Sequence, residues 1–539
     1  MSGGQGGNGA DPINGTGGQP GADNVTNGAG AAGGNGGSSA QGSGGGAGGA
    51  AGTTGGGGGA GGTANGGQGA AGGSGGAAGG GSGGGGTAGQ NAGDGGGGGG
   101  GGGVFNYYNF VNTLVGFTVT RTGGNGGVGG AGNGTGGGGG GGAGGYALIL
   151  DGNANTVTSS AILTGGNGGT GGAAGNLGGV GGDGGKGGVG FYFLNSPLSN
   201  SGTIVGGNGG LGGSANGGTA GAAGQGGAGI SGSNLTITNT GTISGGLNGG
   251  TTTRANAIDF TGGDNRLTPS TGTLNGGIGV TGTLRVLGAN TTLANPIRDS
   301  AAGAGSLIKD DGGSLTLTGT NTYTGSTTIA ASNTLALSGT GSIANSSGVA
   351  NAGTFDISGT TAGASITTLS GAGGTTLGAR TLTITNGSTS YSGAISGTGG
   401  VAVTGGTQTL TGASTYSGGT TIGSNGGAVS STLQLGGPTS AGTRAITFGS
   451  MSGTATARLG LDLAAQPASG GNFANTLANF GTGNELALAG LTNSSVSYNS
   501  ANSSITVTGT RTGGGQVTRE LCAIGPAHDQ LHRGRGRSG

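Results

Sequence analysis

The sequence predicts an all-β solenoid, a parallel β-helix with glycine-rich loops and a glycine-rich, disordered N-terminal region. Three observations carry that expectation. Glycine supplies 165 of 539 residues, yet proline numbers only 8 and no strict every-third-residue glycine runs throughout, so a collagen triple helix is excluded. Apolar residues make up 30% and charged residues 6% of the chain, far from the usual quarter charged, and the apolar ones gather in short strand-like runs after Val104. Similar segments then recur at fixed intervals. A narrow core repeated along an axis fits these facts where several compact cores do not.

Residues 1–103 are Gly, Ala, Ser, Asn, Thr and Gln for the most part and end in the unbroken run Gly95 to Gly103. Ordering a backbone costs roughly 1–2 kcal/mol per residue, and this segment has almost no apolar surface to offset it, so flexible coil is expected. Some stretches follow a Gly-Gly-X triplet, the pattern of a three-residue-per-turn extended helix packed on copies of itself.

Residues 104–250 repeat about every 40 residues. The string Gly-Gly-Asn-Gly-Gly places its Asn at 125, 167 and 208, and a variant places Asn248 next, at intervals of 42, 41 and 40. Each unit carries strand-like segments, as in Tyr146 to Leu150 with Ala161 to Thr164, and Phe191 to Leu194 with Gly202 to Val205. Propeller blades of this period carry Trp-Asp signatures, and the chain has no Trp. Helical repeats fail because apolar residues do not recur at spacings of three and four. Stacked strands remain, with a glycine loop thrown out at every second rung.

Residues 251–517 read as a β-helix with shorter loops. Apolar pairs at i and i+2 mark strands with one face inward: Leu315/Leu317, Leu335/Leu337, Phe355/Ile357, Leu382/Ile384 and Val401/Val403, at intervals of 20, 20, 27 and 19. Residues 518–539 change vocabulary. The single Cys (Cys522), both His (His528 and His532), Pro526 and the alternating Arg533, Arg535 and Arg537 all lie there. One Cys and two His make an incomplete zinc set, so this tail is expected to be aberrant, translated in a shifted frame.

Residues 315–329, LTLTGTNTYTGSTTI, and 408–422, QTLTGASTYSGGTTI, align at an offset of 93, with Gly319 on Gly412, Tyr323 on Tyr416, Gly325 on Gly418 and Ile329 on Ile422. YSGAISGTGGVAVTGG precedes the second copy. Together they resemble the autotransporter-associated β-strand repeat, also called the passenger-associated transport repeat. Residues 229–246 and 256–267 resemble passenger sequences less specifically. The resemblance, spanning roughly 104–517, implies a right-handed parallel β-helix, type V export by the outer-membrane machinery, and a secreted or cell-surface site. It implies a structural and adhesive passenger whose partner is a protein or glycan on a host or environmental surface. The start, Met1-Ser2-Gly3-Gly4, has no basic n-region or apolar stretch, and no C-terminal barrel is evident, so a fragment or mis-assigned start is expected. Two other functions compete: a polyglycine structural or ice-binding protein, and a polysaccharide-active β-helix enzyme.

Chemistry-bearing residues are few. With no Cys or His before residue 520, His-dependent nucleophilic triads and zinc sites are excluded from the body. Fifteen basic against fifteen acidic residues, without a charge run, argue against nucleic acid, and no apolar run approaches the roughly 20 residues of a membrane span. The segment Gly178 to Lys186 partly fits a calcium nonapeptide around Asp183, but lacks its apolar position and tandem recurrence. Asp310 and Asp311 are adjacent, so a strand would point them apart, and a turn is their expected home. Arg254, Asp259, Asp264 and Arg266 form the densest charged cluster, expected as a solvated corner rather than a catalytic pair. Phe105 to Phe110 reads as the first ordered strand closing the solenoid, and Tyr323 and Tyr416 as rung-stacking aromatics. No catalytic, metal or cofactor residue is expected, and no enzyme.

Overall fold

In the computed structural model the described residues are 29–35, 49, 54, 56–58, 60, 71–215, 217–466, 473–481, 484–499, 504–511 and 514–524. They contain strands and no α-helix. The chain divides into two units, Met1–Arg285 with Asn295–Gly305, and Val286–Ala294 with Ser306–Gly539.

In the first unit each coil contributes up to three short strands, and each side of the coil is a parallel sheet. The first sheet stacks Asn106–Tyr108, Leu148–Leu150, Phe191–Leu194, Ile230–Ser233, Ile258–Gly262, Ile278–Val280 and Ile297–Asp299. The second stacks Leu114–Phe117, Thr156–Ser159, Pro197–Asn200, Thr236–Asn239 and Asp264–Thr268. The third stacks Arg121–Thr122, Ile162–Thr164, Thr203–Val205, Thr242–Ser244 and Thr273–Asn275. Because register is in phase, like side chains stack on like. Val115, Val157, Leu198, Ile237 and Leu267 form one buried ladder. Leu163, Ile204 and Ile243 form another. These ladders form the core together with the first sheet, whose strands bury two residues each, such as Phe191 with Phe193 and Ile258 with Phe260, and Thr, Ser and Asn fill many of the outward positions.

The 40-residue period is therefore one coil, and a glycine loop leaves every coil rather than every second rung. Three strands of three or four residues close a turn of the solenoid, so the two segments legible in each repeat belong to a single coil, and a third strand with a single apolar inward residue, as in Thr156–Ser159 and Pro197–Asn200, completes it.

In the second unit the coils shorten to about 20 residues, with Leu315, Leu335, Phe355, Thr375 and Ile395 in one inward ladder. The interval of 27 between Phe355 and Leu382 is not a long coil. Phe355 is followed in its sheet by Thr375, whereas Leu382 belongs to another sheet that begins at Ala364–Ile366 and continues through Val401–Val403, Thr420–Ile422, Ile446–Phe448 and Leu477–Ala478. A further sheet runs Ser390–Tyr391, Gly406–Leu410, Ser431–Leu435, Ala457–Leu461 and Asn484–Leu488.

The parallel coils give way before residue 517. Leu491–Asn499, Ser504–Arg511 and Gln516–Ile524 form an antiparallel meander, with Gly514 and Gly515 at positive φ in the tight turn where Arg511 and Gly515 close on each other. A chain reversal this short forces antiparallel pairing, since a parallel neighbour needs a full crossover. The last strand runs through the compositional break at Arg519 as far as Ile524. His528, His532, Arg533, Arg535 and Arg537 lie outside the described residues.

Candidate binding surface and repeat coils

The glycine loops are not loose. Each leaves the solenoid along one extended helix and returns along another, and hydrogen bonds repeat every third residue. Gly123, Gly126, Gly129 and Gly132 donate to the carbonyls of Thr164, Asn167, Thr170 and Ala173 on the next coil. Gly139, Gly142 and Gly145 donate to Gly130, Gly127 and Gly124 within the same hairpin, in antiparallel sense. A three-residue period without internal hydrogen bonds is that of the polyproline-type helix. Here the bonds run between helices.

Close approach explains the glycine. A Cβ on Gly99 would lie 1.9 Å from the Gly127 carbonyl oxygen, and one on Gly142 would lie 2.0 Å from that of Gly100. The Cα–H takes that place, a weak contact repeated along every helix. The unbroken runs Gly95 to Gly103 and Gly136 to Gly142 are buried helices with neighbours on all sides, so no third position is open to a side chain. Residues 71–103 are thus ordered in this bundle, which corrects the expectation of flexible coil for them. Backbone hydrogen bonds between helices offset the ordering cost that apolar burial cannot. For most of residues 1–70 that expectation falls outside the described residues.

Where a helix faces solvent, the triplet becomes Gly-Gly-X. The outgoing helices expose Asn125, Asn167 and Asn208 in one column and Val128, Thr170 and Leu211 in the next. The Asn column is hydrogen-bonded along the coils. The Asn167 N–H donates to Asn125 Oδ1, Asn208 to Asn167 and Leu247 to Asn208, each at 2.8 Å. The repeated Asn thereby satisfies outward N–H groups at the bundle's edge. On the returning helices, Asp183 and Lys186 take the X positions of one coil, Ala222 and Gln225 those of the next. The Asp183 carboxylate accepts the Ala222 N–H at 2.7 Å. Among the described residues no cluster of three or more His, Cys, Asp or Glu is placed to hold a metal ion.

A second ladder lies at the corner between the first two sheets. Asn195 Nδ2 donates to Asn153 Oδ1 at 2.6 Å and Asn234 Nδ2 to Asn195 Oδ1 at 2.8 Å. Asn195 and Asn234 adopt positive φ, which Asn tolerates better than most residues.

Of the charged cluster only Asp264 and Arg266 are brought together. Asp264 pairs with Arg285 at 3.0 Å and with Arg266 at 3.6 Å, all three partly solvated. Arg254 donates instead to the Gly245 carbonyl at 2.8 Å. Asp259, on another strand, takes a 3.2 Å bond from Asn256. The two carboxylates therefore do not share a site. Asp310 and Asp311 lie in the turn after Gly305–Lys309. Burial alone would raise the Asp311 pKa, but hydrogen bonds from the Lys309 ammonium and the Gly288 N–H outweigh it and hold the carboxyl below its ordinary value. Lys309 itself is a buried core position, in column with Ile329 and Asn351, and its ammonium also donates to the Gly288 carbonyl at 3.0 Å. The alternation of GSLIK made Lys309 inward-facing, and its charge concealed that signal.

Phe105 to Phe110 contains the first described strand. Tyr108 stacks on Phe110 and Phe117, and Phe117 meets Phe191 edge-on. Arg121 occupies the ladder position of Leu163 in this coil, lying over the Phe117 ring at 5.1 Å and donating to Asn106.

In the two motif copies the tyrosines point inward and are fully buried. Tyr323 Oη and Thr327 Oγ1 are 2.7 Å apart, Tyr416 Oη and Thr420 Oγ1 2.5 Å. Each Thr begins the TTI strand and makes a second bond, Thr327 with Ser346 Oγ and Thr420 with the Ala441 carbonyl. No strand forms between Leu317 and Thr327, so the ring fills that side of the core while its hydroxyl is satisfied. Burial pushes both phenols well above their ordinary pKa, and pushes Tyr391 up as well.

The passenger-associated transport repeat model matches residues 307–331 and 405–429, the coils that hold these two Tyr–Thr pairs. These two stretches are similar to the repeats of autotransporter passengers. A search of curated proteins and a search of solved structures each returned no match.

Proposed function

We propose that this autotransporter-type passenger region is displayed at the bacterial surface after export through the outer-membrane machinery, and that it adheres through an extended repetitive face. The observation that carries the reading is the pair of transport repeats, each set in solenoid coils that pair in parallel with the coil that follows. Solenoids suit this role because each coil buries its core on its neighbour and can fold as it emerges. The outgoing glycine helices add a periodic, uncharged surface of amides, hydroxyls and methyls whose backbone is fixed. Affinity spread over such a face differs from affinity held in a pocket.

Surface display is tested by antibody labelling of intact against permeabilised producing cells. Equal labelling supports it, and labelling confined to permeabilised cells defeats it. Adhesion is tested with beads coated with the full chain and offered to host-cell, protein and glycan surfaces. Capture should decline stepwise as outward residues are replaced column by column. Abrupt loss on one substitution would contradict a distributed face, and absence of capture on every surface would defeat adhesion.

A further inference from the structure

In the compact coils, one sheet holds Thr420–Ile422, Ile446–Phe448 and Leu477–Ala478, and its neighbour holds Ser431–Leu435, Ala457–Leu461 and Asn484–Leu488. Three corners connect them. The first two take eight residues each, 423–430 and 449–456, and the third takes five, 479–483. The two long corners are bonded to each other, the Gly426 N–H to the Ser450 carbonyl at 2.7 Å and the Ser452 N–H to the Gly427 carbonyl at 2.9 Å. The short corner spans less of that edge. Register changes there as well. Ala478 lies on Thr447, so residue 479 falls next to Phe448, yet the strand stops at Ala478 and Asn479 takes positive φ. Phe480 meets the Phe448 ring edge-on instead, with centroids 5.1 Å apart. A recess of about 420 Å³ results, lined by Asn425, Phe448, Ser450, Asn479, Gly481 and Asn484. Its volume lies within the roughly 300–1,000 Å³ of small-molecule sites.

The lining is uncharged and rich in amides. Asn425 Oδ1 accepts the Ser450 N–H at 3.1 Å and the Ser450 hydroxyl at 3.3 Å, which leaves its Nδ2 to donate. Asn484 Oδ1 accepts the Gly481 N–H at 3.0 Å, while its Nδ2 makes only a long bond of 3.4 Å to the Gly449 carbonyl. The exposed Asn479 amide has no hydrogen-bond partner among the described residues. A charged ligand would lose hydration here and find no counter-charge. An apolar ligand would leave the amides unpaired. A neutral molecule with several hydroxyls fits, because each hydroxyl donates and accepts as an amide does. The C–H groups of a sugar ring then rest on the apolar base that Phe448 provides.

We propose that this recess is a binding site for a neutral sugar residue, with Asn425, Asn479 and Asn484 bonding its hydroxyls. It is a local site in the compact coils, apart from the repetitive face of the glycine helices, and it stands whether or not that face adheres. The bonded long corners fix Asn425 and Ser450 in advance, so little ordering accompanies binding.

The test uses the purified full chain in solution. Glucose, galactose, mannose, N-acetylglucosamine and their short oligomers are offered, with galacturonate oligomers as the charged comparison. Binding is read by saturation-transfer NMR and titration calorimetry, with no cells or coated surfaces, so failure of adhesion leaves the result untouched. At least one neutral sugar should bind saturably, and more tightly than the galacturonate series. Gly481→Leu should abolish binding by filling the recess, since a Cβ at Gly481 meets no heavy atom within 4 Å and the fold is kept. Asn479→Gly removes the amide at a position whose positive φ suits glycine, and should weaken binding about two- to tenfold. Gly374→Leu, equally open but outside the recess, should bind as wild type does. Three results would overturn the site: no neutral sugar binding to wild type, galacturonate binding as tightly as the neutral sugars, or binding unchanged in both Gly481→Leu and Asn479→Gly. Circular dichroism and thermal melting accompany each variant, and if Gly481→Leu unfolds, Asn479→Gly alone decides.

Discussion

The glycine-hairpin coils of residues 104–250 and the compact coils that follow residue 305 solve the same problem with different materials. Both stack parallel strands in phase. In the compact coils, Leu, Ile, Phe and Tyr side chains fill the core, and stability comes mainly from apolar burial. In the hairpins there is almost no side chain to bury, and helices pack until backbone carbonyls meet Cα–H groups. A core residue in the first material can be trimmed and leaves a cavity. A glycine in the second cannot be enlarged at all.

The largest contrast is therefore between removing atoms in one region and adding one atom in the other. Phe355→Ala should destabilise its unit by about 3–5 kcal/mol, read as loss of hydrogen-exchange protection in the strands beside it. Protection that survives there would mean the ladder is not the source of stability. Gly142→Ala adds a single methyl and should cost about 1–3 kcal/mol, with protection lost across residues 95–145 and kept in the compact coils. As its control, Gly374→Ala has no heavy atom within 4 Å of the new Cβ and should change stability by less than about 1 kcal/mol. If the two alanines behave alike, close packing of the hairpins is wrong.

Smaller effects sharpen the account of the compact coils. Tyr323→Phe leaves the ring in place but removes the hydroxyl that faces Thr327, for a loss of about 1 kcal/mol. A combined Thr327→Val should lose less than the sum of the two single changes, because the pair acts together. In alkali, Tyr323, Tyr391 and Tyr416 stay protonated when folded, while an unfolded chain ionises near pH 10. The native state thus binds more protons there, and stability should fall as pH rises through about 10. An absorbance titration should show these phenols ionising only with unfolding.

The smallest effect is at Asp311. Its pKa is lowered in the folded state, so its contribution is full above the unfolded value of about 3.9 and is lost as pH falls through the folded value. Asp311→Asn should lower the melting temperature at pH 7 and have a diminishing effect toward pH 2. An equal shift at both ends would show that the Lys309 pairing is not what the variant removes.

How much of this was legible in one dimension depended on whether side chains carried the signal. Leu315 and Leu317 announce an inward strand because they alternate with Thr, and the Asn of Gly-Gly-Asn-Gly-Gly announces a repeat because it stands out against glycine. Tyr323 and Tyr416 were legible as rung aromatics, but Thr327 and Thr420 as their hydroxyl partners were not. Arg285, the partner that takes Asp264 away from any acid pair, lies 21 residues downstream in sequence and one strand away in space.

The sequence by itself determined the all-β class, the recurrence of similar segments, the absence of Cys and His from the body, and the two transport repeats. Those features depend on residue identity and spacing along the chain. Only the tertiary structure decided that the glycine segments of residues 71–103 are ordered, that sheets change membership between Phe355 and Leu382, and that the final strands turn antiparallel. The physical reason is common to all three. Glycine and short strands carry no side-chain pattern that names their neighbours, so their partners are fixed by backbone hydrogen bonds across coils tens of residues apart, and these exist only once the chain has closed on itself.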